Sequence, residues 1–472
     1  MIRIFAKIAP ALVCLFAAFA LFYNLDSAPV AEWDESRYGV NAFEMNKRGD
    51  FVNYFFNGEV DVWNAKPPLQ VWLITAASKV FGFNAFSMRL PSVFGAIVTL
   101  VFLFLIGKNF GGAGLGWLLV SAAVVCKALI GHHVGRTGEM DALFLAGLSI
   151  FSYGFIKALE AGKLIDWILV GLGLSVSFMA KGFAFVIVGP ACLILFAVSA
   201  WRQHLRSAKM WVAPAVLIVV VAAWTLIYRH WGKSAETDFH GNTALQVMVF
   251  HDLWARFTGT LDGKESVPLQ PLQIFRYMDV RLSAVSLLGF VGILFSTYFH
   301  FAKRPVLVAS LVFRNDVQRR KAVLFSAAFS GSILFVVALT RQASDWYVAP
   351  IVISWPLLAL ACWDYVASRS SLVGRKVIVA FAGVCLIVNL VQTVRYVYES
   401  DAPTTIQTFV SQHQAELQKA DLLMSDQQMR QDELLYFLWS GAGAVRDGKL
   451  VRPHDANYAL ACEAGVCRFT AE

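Results

Sequence analysis

The segment "PPLQVWLITAASKVFGF", residues 67–83, decides the topology of this chain, because it either crosses a bilayer or lies along one face of it. It is apolar, but Gln70, Thr75, Ser78 and Lys79 interrupt it and two prolines open it. That is the pattern of a helix lying in the interface. With this segment kept flat, the basic clusters fall in every second loop. Lys108, then Lys157 and Lys163, then Arg202, Arg206 and Lys209, then Lys303 to Lys321, and finally Arg369, Arg375 and Lys376 all lie on one side. The intervening loops, 26–88, 133–141, 230–278 and 341–346, mix acids and bases and hold most of the acidic and aromatic residues. This alternation is the positive-inside bias, and it puts the mixed loops outside.

The composition agrees. Hydrophobic residues make up 58% of the 472, charged residues 15%, and mean hydropathy is +0.59, well above the range of soluble domains. The class is an all-α polytopic membrane protein. About eleven crossings are expected, near 8–25, 89–107, 114–132, 142–158, 165–180, 182–200, 211–229, 280–300, 322–340, 347–365 and 377–394. The net charge of +8 is spread in short clusters between apolar runs, so it sets orientation and does not mark a nucleic-acid partner. The domains expected are a membrane domain, 1–394, whose first outer loop is 26–88, and a small α/β C-terminal domain, 395–472, on the exported side. In that tail "PTTIQTFVSQHQAELQKA" reads as an amphipathic helix, "DLLM" as a strand and "DELLYFLW" as a second helix. Cys462 and Cys467, in "CEAGVC", could form a disulfide in an oxidising compartment. The other five cysteines lie in apolar runs and read as packing residues.

The outer loops collect chemistry. Asp34 and Glu35 follow the first span in "AEWDESRYG", with Arg37 and Tyr38 behind them. Taken alone, such a pair reads as solvated loop charge. The other outer loops add Lys66, Arg136, Asp141, Lys181, His251, Arg256 and Tyr347, several of them at helix ends. Carboxylates and cations gathered at headgroup level suit transfer of a group from a lipid-linked phosphate. Lys and Arg can hold the phosphate and stabilise it as it leaves. A carboxylate can take the proton of the attacking hydroxyl. "GGAGLG", residues 111–116, lacks the strand context of a phosphate loop and reads as turn and packing glycine. His132 and His133 are adjacent, so on a helix they point about 100° apart and read as interface residues, not a metal pair. Asp34 with Glu35 could hold a divalent cation only with further oxygen ligands, and no metal or other cofactor is expected.

The stretch from Trp33 to Ile74 resembles the first outer loop of the bacterial aminoarabinose lipid A transferases and of the protein O-mannosyltransferase-like membrane glycosyltransferases of the C fold. The family pattern D-E-x-R-Y, E-M, G-D, N-G and K-P-P is matched by Asp34, Glu35, Arg37, Tyr38, Glu44, Met45, Gly49, Asp50, Asn57, Gly58, Lys66, Pro67 and Pro68. Weaker echoes follow in order in "RTGEMDALF", "MAKGF", "HDLWARF" and "SDWYVAPIVISWP". The resemblance implies an inner-membrane glycosyltransferase, acting on the periplasmic side, that takes sugar from an undecaprenyl-type phosphate. The acceptor would be lipid A, another envelope glycan or a protein. Asp34 would be the base, with Glu35 beside it. Lys66, Arg256 and Lys181 would lie near the donor phosphate, and Arg37, Tyr38, Asp141, His251 and Tyr347 would complete the substrate site. One position departs from the pattern. Where the aminoarabinose transferases usually carry Glu before Lys-Pro, this chain has Ala65. A lipid-linked sugar flippase or transporter is the rival class, but transporters place ionisable groups near the midplane within repeated halves.

Overall fold

The computed structural model describes residues 2–31, 33–233, 236–237, 241–258, 271–341, 343–399 and 405–413, and in the tail 421–424, 435–436, 438–439, 458–463 and 466–471. It is a helical membrane protein. Among the described residues seven helices are long and apolar enough to cross a bilayer, or eight if the bent pair Asp345–Ile353 and Trp355–Ala367 counts as one span. This departs from the eleven crossings read from sequence, and the reasons are local. The run near 8–25 lies in the helix Ile2–Phe22, of 21 residues, and the run near 114–132 forms a shorter apolar helix, Ala113–Val124. The runs 165–180 and 182–200 join into one 34-residue stack, Leu164–Ala197. Hydropathy registers an apolar run whether or not the backbone stays α-helical through it.

The deciding segment folds as Leu69–Phe81, a helix of 13 residues. At 1.5 Å per residue it reaches about 20 Å, short of the roughly 30 Å hydrocarbon layer. Its polar interruptions face inward: Gln70, Thr75 and Ser78 are buried. Gln70 donates to the Gly138 carbonyl at 3.0 Å, and the Ser78 and Ser87 hydroxyls lie 3.1 Å apart. The next helix, Ala85–Gly111, starts at a capping box in which Asn84 accepts from the Ser87 amide. These bonds fix the first outer loop to the mouth of the bundle.

At the centre of the bundle lies Asp141–Ala161, with 83% of its apolar window buried, whereas only 11% of the window in Ala208–Trp231 is covered by protein. The first is packed on all sides and the second presents its surface to lipid. Close approach at the centre depends on small residues. A Cβ at Gly95 would lie 2.7 Å from the Ala142 carbonyl, and one at Gly173 only 2.3 Å from the Phe151 amide nitrogen. Phe151, Phe155, Trp167 and Phe329 fill the space these contacts enclose. In the tail, Asp421–Met424 is the strand read from "DLLM", and it joins a three-stranded sheet with Tyr458–Glu463 and Val466–Ala471. The register sets Cys462 opposite Cys467, but their side chains, and with them the disulfide, lie outside the described residues. Leu435 and Tyr436 pack into the first outer loop, and the Tyr436 hydroxyl accepts the Val30 amide at 2.9 Å.

Candidate functional site

The first-loop helix, Asp34–Arg48, opens after Trp33, whose φ of 76° turns the chain sharply out of the preceding loop. Acidic residues in a first turn complement the helix dipole. Successive side chains point about 100° apart, and here that separates two fates. Glu35 is wholly buried. Its Oε1 accepts from Arg89 Nε at 2.7 Å and from the Gly138 amide at 2.7 Å, while Oε2 accepts from Arg89 Nη2 at 3.2 Å and from the Ala31 amide at 2.7 Å. Arg89 in turn donates to the carbonyls of Leu25, Ala28 and Pro29. Burial opposes the Glu35 charge, but the Arg89 guanidinium and the two amides outweigh it and hold the carboxyl below its ordinary value. Every Glu35 oxygen is engaged. The carboxylate read beside Asp34 as a catalytic candidate is therefore placed as the joint that ties the first span's exit to both outer loops. Asp34 itself is 55% exposed, with Oδ2 4.0 Å from His133 Nδ1.

Arg37 is also committed to structure. It forms a fork on Asp61, Nε to Oδ2 at 2.8 Å and Nη2 to Oδ1 at 2.6 Å, and its guanidinium sits 4.9 Å from the Phe56 ring centroid. Desolvation opposes the Asp61 charge, yet Arg37, Asn41 and the Asn64 amide hold that carboxyl below its usual range. Tyr38 is buried, with its hydroxyl 3.7 Å from Met140 Sδ. Neither Arg37 nor Tyr38 lines the cavity described next.

Four other sequence candidates do converge. Lys66, Asp141, Lys181 and Tyr347 share one partly open cavity of about 110 Å3. Asp141 begins one membrane helix and Lys181 ends the next, so helix direction alone brings both to the same end of the bundle. They form an ion pair, and the Lys181 ammonium lies 5.3 Å from the Tyr347 ring centroid. Beyond this polar mouth the walls are apolar: Phe183, Val186 and Ile187 on one side, Val336 and Val337 on the other. Gly182, with φ 59°, turns the chain directly after Lys181 into a 3-10 stretch, Gly182–Val188. His251 and Arg256 belong to the neighbouring π-helix Val247–Ala255 and the turn Arg256–Thr258, whose Met248 and Phe257 line the cavity. The side chains of His251 and Arg256 lie outside the described residues.

The second outer loop corrects another reading. His133 has φ 66°, so no helix separates the two histidines. His133 stacks on Trp346 at 3.7 Å and contacts the carboxyl of Glu139, which is 1% exposed. Burial first, then the negative charges of Asp34, Glu35 and Asp141, push the Glu139 carboxyl well above its ordinary value. Desolvation lowers His133 to about 4. Both shifts favour the uncharged forms of the two groups. His132, His133 and Glu139 each bring one ligand atom within 4.8 Å of the others, a set that could hold a metal ion.

Sequence reasoning missed Arg89, Asp61, Glu139, Trp346 and the pair Arg281–Asp345, whose Nε to Oδ2 distance is 2.6 Å. A signal existed for two of them. Arg89 and Arg281 sit at the edges of apolar runs, where an arginine needs a partner close by.

A family model described as dolichyl-phosphate-mannose-protein mannosyltransferase matches residues 65–228. The undecaprenyl phosphate-alpha-4-amino-4-deoxy-L-arabinose arabinosyl transferase of Pseudomonas aeruginosa PAO1 is 26% identical over 358 residues, 73% of this chain and 58% of the relative. The chain spans about half the length of the curated relatives it matches, 45% and 58% in two strains of that species. In fold it is similar to ArnT from Cupriavidus metallidurans bound to undecaprenyl phosphate, with a TM-score of 0.65, 14% identity, and 90% of this chain and 84% of the other covered. It is also similar to the Archaeoglobus fulgidus oligosaccharyltransferase, with a TM-score of 0.58, 11% identity, and 93% and 64% covered.

Proposed function

Since the chain belongs to the family of the bacterial aminoarabinose lipid A transferases and their protein O-mannosyltransferase-like relatives, we propose that it is a membrane glycosyltransferase. It moves a sugar from an undecaprenyl-type polyprenyl phosphate to an exported acceptor, at the periplasmic face of a bacterial inner membrane. The observation that carries this reading is the amphiphilic cavity. Lys66 and Lys181 stand at a polar mouth, and an apolar interior is walled by membrane helices. A polyprenyl phosphate has the same division, with its charge at headgroup level and its tail in hydrocarbon.

In the reaction the acceptor hydroxyl oxygen bonds to the anomeric carbon. The bond from that carbon to the phosphate oxygen breaks, and the hydroxyl proton passes to Asp34. The polyprenyl phosphate leaves with an added negative charge, which Lys66 and Lys181 stabilise. Asp141 holds Lys181 in place at the mouth, and an incoming phosphate competes with it for that ammonium. Asp34 is half exposed beside His133, which stacks on the cavity-lining Trp346, so the acceptor hydroxyl meets the donor across that pair. The acceptor is lipid A, another envelope glycan or an exported protein.

Protein in bilayer nanodiscs, supplied with polyprenyl-phosphate sugars and envelope acceptors, should form a glycosylated product visible by mass spectrometry. Asp34→Asn should abolish it with the fold intact. Full transfer by that variant would remove Asp34 from the role of base. A sugar donor that crosses vesicle membranes without any covalent product would favour the flippase.

A further inference from the structure

The second outer loop holds a group of donor atoms that the proposed reaction does not use. His132, His133 and Glu139 each bring one ligand atom to within 4.8 Å of the others. We infer that these three residues bind one divalent transition-metal ion, zinc being the ion that the donor set suits best. The inference concerns binding alone and does not rest on the glycosyltransfer reading.

A backbone feature brings the donors together. Neighbouring side chains on a helix point about 100° apart, which sets adjacent histidines against sharing one ion. The turn at His133 removes that objection, since its φ of 66° lies in the left-handed region that residues with a Cβ rarely adopt. The two imidazoles meet edge to face, with ring centroids 4.3 Å apart and planes at 89°. Each ligand residue is then held from behind. Arg281 Nη1 donates to the His132 carbonyl at 2.7 Å, the His133 ring stacks on Trp346, and the Ser92 hydroxyl donates to the Glu139 carbonyl at 2.8 Å. Supports of this kind orient metal ligands.

Glu139 is the independent sign of a missing cation. Its carboxyl is 1% exposed, and neither Oε1 nor Oε2 has a hydrogen-bond partner. Glu35, buried to the same degree, has both oxygens engaged by Arg89 and backbone amides. A carboxyl left bare in the interior is costly, and a metal ion offsets that cost. Two imidazole nitrogens and one carboxylate oxygen match the three-ligand zinc sites that keep a fourth position for water or substrate. Calcium and magnesium prefer oxygen ligands throughout. Asp34 Oδ2, 4.0 Å from His133 Nδ1, is close enough to meet the ion directly or through a water. Zinc donors stand about 3.4 Å apart around bonds of 2.0–2.1 Å, so the His133–Glu139 contact opens by rotation of the Glu139 side chain to admit the ion. His132 is exposed and gives the ion its way in.

The test uses the tag-free full chain in tag-free nanodiscs, stripped with chelator and titrated with zinc. Stripped protein, in which Glu139 and His133 favour their uncharged forms, is the reference state. The wild type should retain one zinc per chain by elemental analysis and melt at a higher temperature with it. Glu139→Gln and His132→Ala should each weaken zinc binding about tenfold or more and lose the zinc-dependent rise in melting. His132→Ala alters an exposed side chain, and it provides the reading if Glu139→Gln fails to fold. Magnesium in about hundredfold excess should leave the zinc in place. A wild type that retains no zinc overturns the inference, as does zinc binding that both variants leave unchanged. Displacement by magnesium overturns it too, because it would mark a site of hard oxygen ligands.

Discussion

Asp34 and Glu35 are neighbours in sequence, and exchanging each for its amide should separate catalysis from architecture. In Glu35→Gln the side chain keeps its shape and loses its charge. Arg89, equally buried, then loses its counter-ion, although it keeps the carbonyls of Leu25, Ala28 and Pro29. Breaking a buried ion pair by removing one partner costs about 3–5 kcal/mol. The retained carbonyls and the surviving amide oxygen put this case at the lower end, about 3 kcal/mol. With an unfolding entropy of roughly 2.1 cal/mol/K per residue, 472 residues give about 1 kcal/mol/K. The melting temperature should then fall by about 3 °C, and by more if helices persist in the unfolded state and reduce that entropy. Asp34→Asn, on an exposed side chain, should leave melting within about 1 °C and abolish transfer. The assays are tryptophan-fluorescence melting of detergent-solubilised protein and product formation on the same preparations. The sign with pH is also fixed. The Glu35 carboxyl is held below its ordinary value in the fold, so its contribution is present above the unfolded value and is lost as pH falls through the folded one. Acid melting of the wild type should therefore steepen below about pH 4.5 relative to Glu35→Gln. If Glu35→Gln melted like the wild type and lost transfer while Asp34→Asn stayed active, the assignment would be inverted and the argument wrong.

Three further outcomes follow from the same geometry. Lys181→Ala should weaken bare polyprenyl-phosphate binding about tenfold or more by titration in nanodiscs, and Lys181→Arg should restore part of it. Equal affinity in Lys181→Ala would place the phosphate elsewhere. The Glu139 carboxyl is raised in the fold, so its stabilising protonation is complete below the unfolded value and is lost as pH rises toward the folded one. Glu139→Gln should accordingly melt at or above the wild type at pH 8 and close to it at pH 4, and a uniform loss of stability at both would show that the carboxyl is ionised. Asp345→Asn strips the partner from Arg281, which is 4% exposed, and should lower stability by about 3 kcal/mol in the same melting assay. An unchanged melting temperature would show that pair to be solvent-screened.

Much of the site was legible because helix ends carry their own direction. Asp141 at a helix start and Lys181 at the end of the next could be put on one side of the membrane from loop charge alone, and with Lys66 and Tyr347 they meet in one cavity. The non-crossing of 67–83 was legible from its polar residues, which the fold buries against its own second outer loop. What sequence could not show was which charges the fold ties to buried partners. Asp34 and Glu35, or Lys66 and Arg37, have the same chemistry on paper. Only the positions of Arg89 and Asp61, distant in sequence, show that Glu35 and Arg37 are tied into the fold. Among the described residues seven or eight helices pass the test of length and apolarity, against about eleven runs in the sequence, since hydropathy sees apolar length and not the backbone geometry within it.

That backbone geometry bears directly on how a lipid could enter. Three irregular helices frame the cavity: 3-10 stretches at Gly182–Val188 and Asp345–Ile353, and a π stretch at Val247–Ala255. Runs of 3-10 helix longer than three or four residues are uncommon, and here they extend to seven and nine. At membrane depth such backbone is tolerated where protein covers it or where it lines a cavity, because hydrocarbon offers no partner for a carbonyl turned out of the α pattern. Their common placement around one apolar hollow is best accounted for if the hollow is a designed feature. The 53° break between Asp345–Ile353 and Trp355–Ala367 tilts the segment that carries Trp346 and Tyr347 over the mouth. A regular helix through that break would carry these rings along a different axis. The His133 stack that links Asp34 to the cavity would then be lost with them.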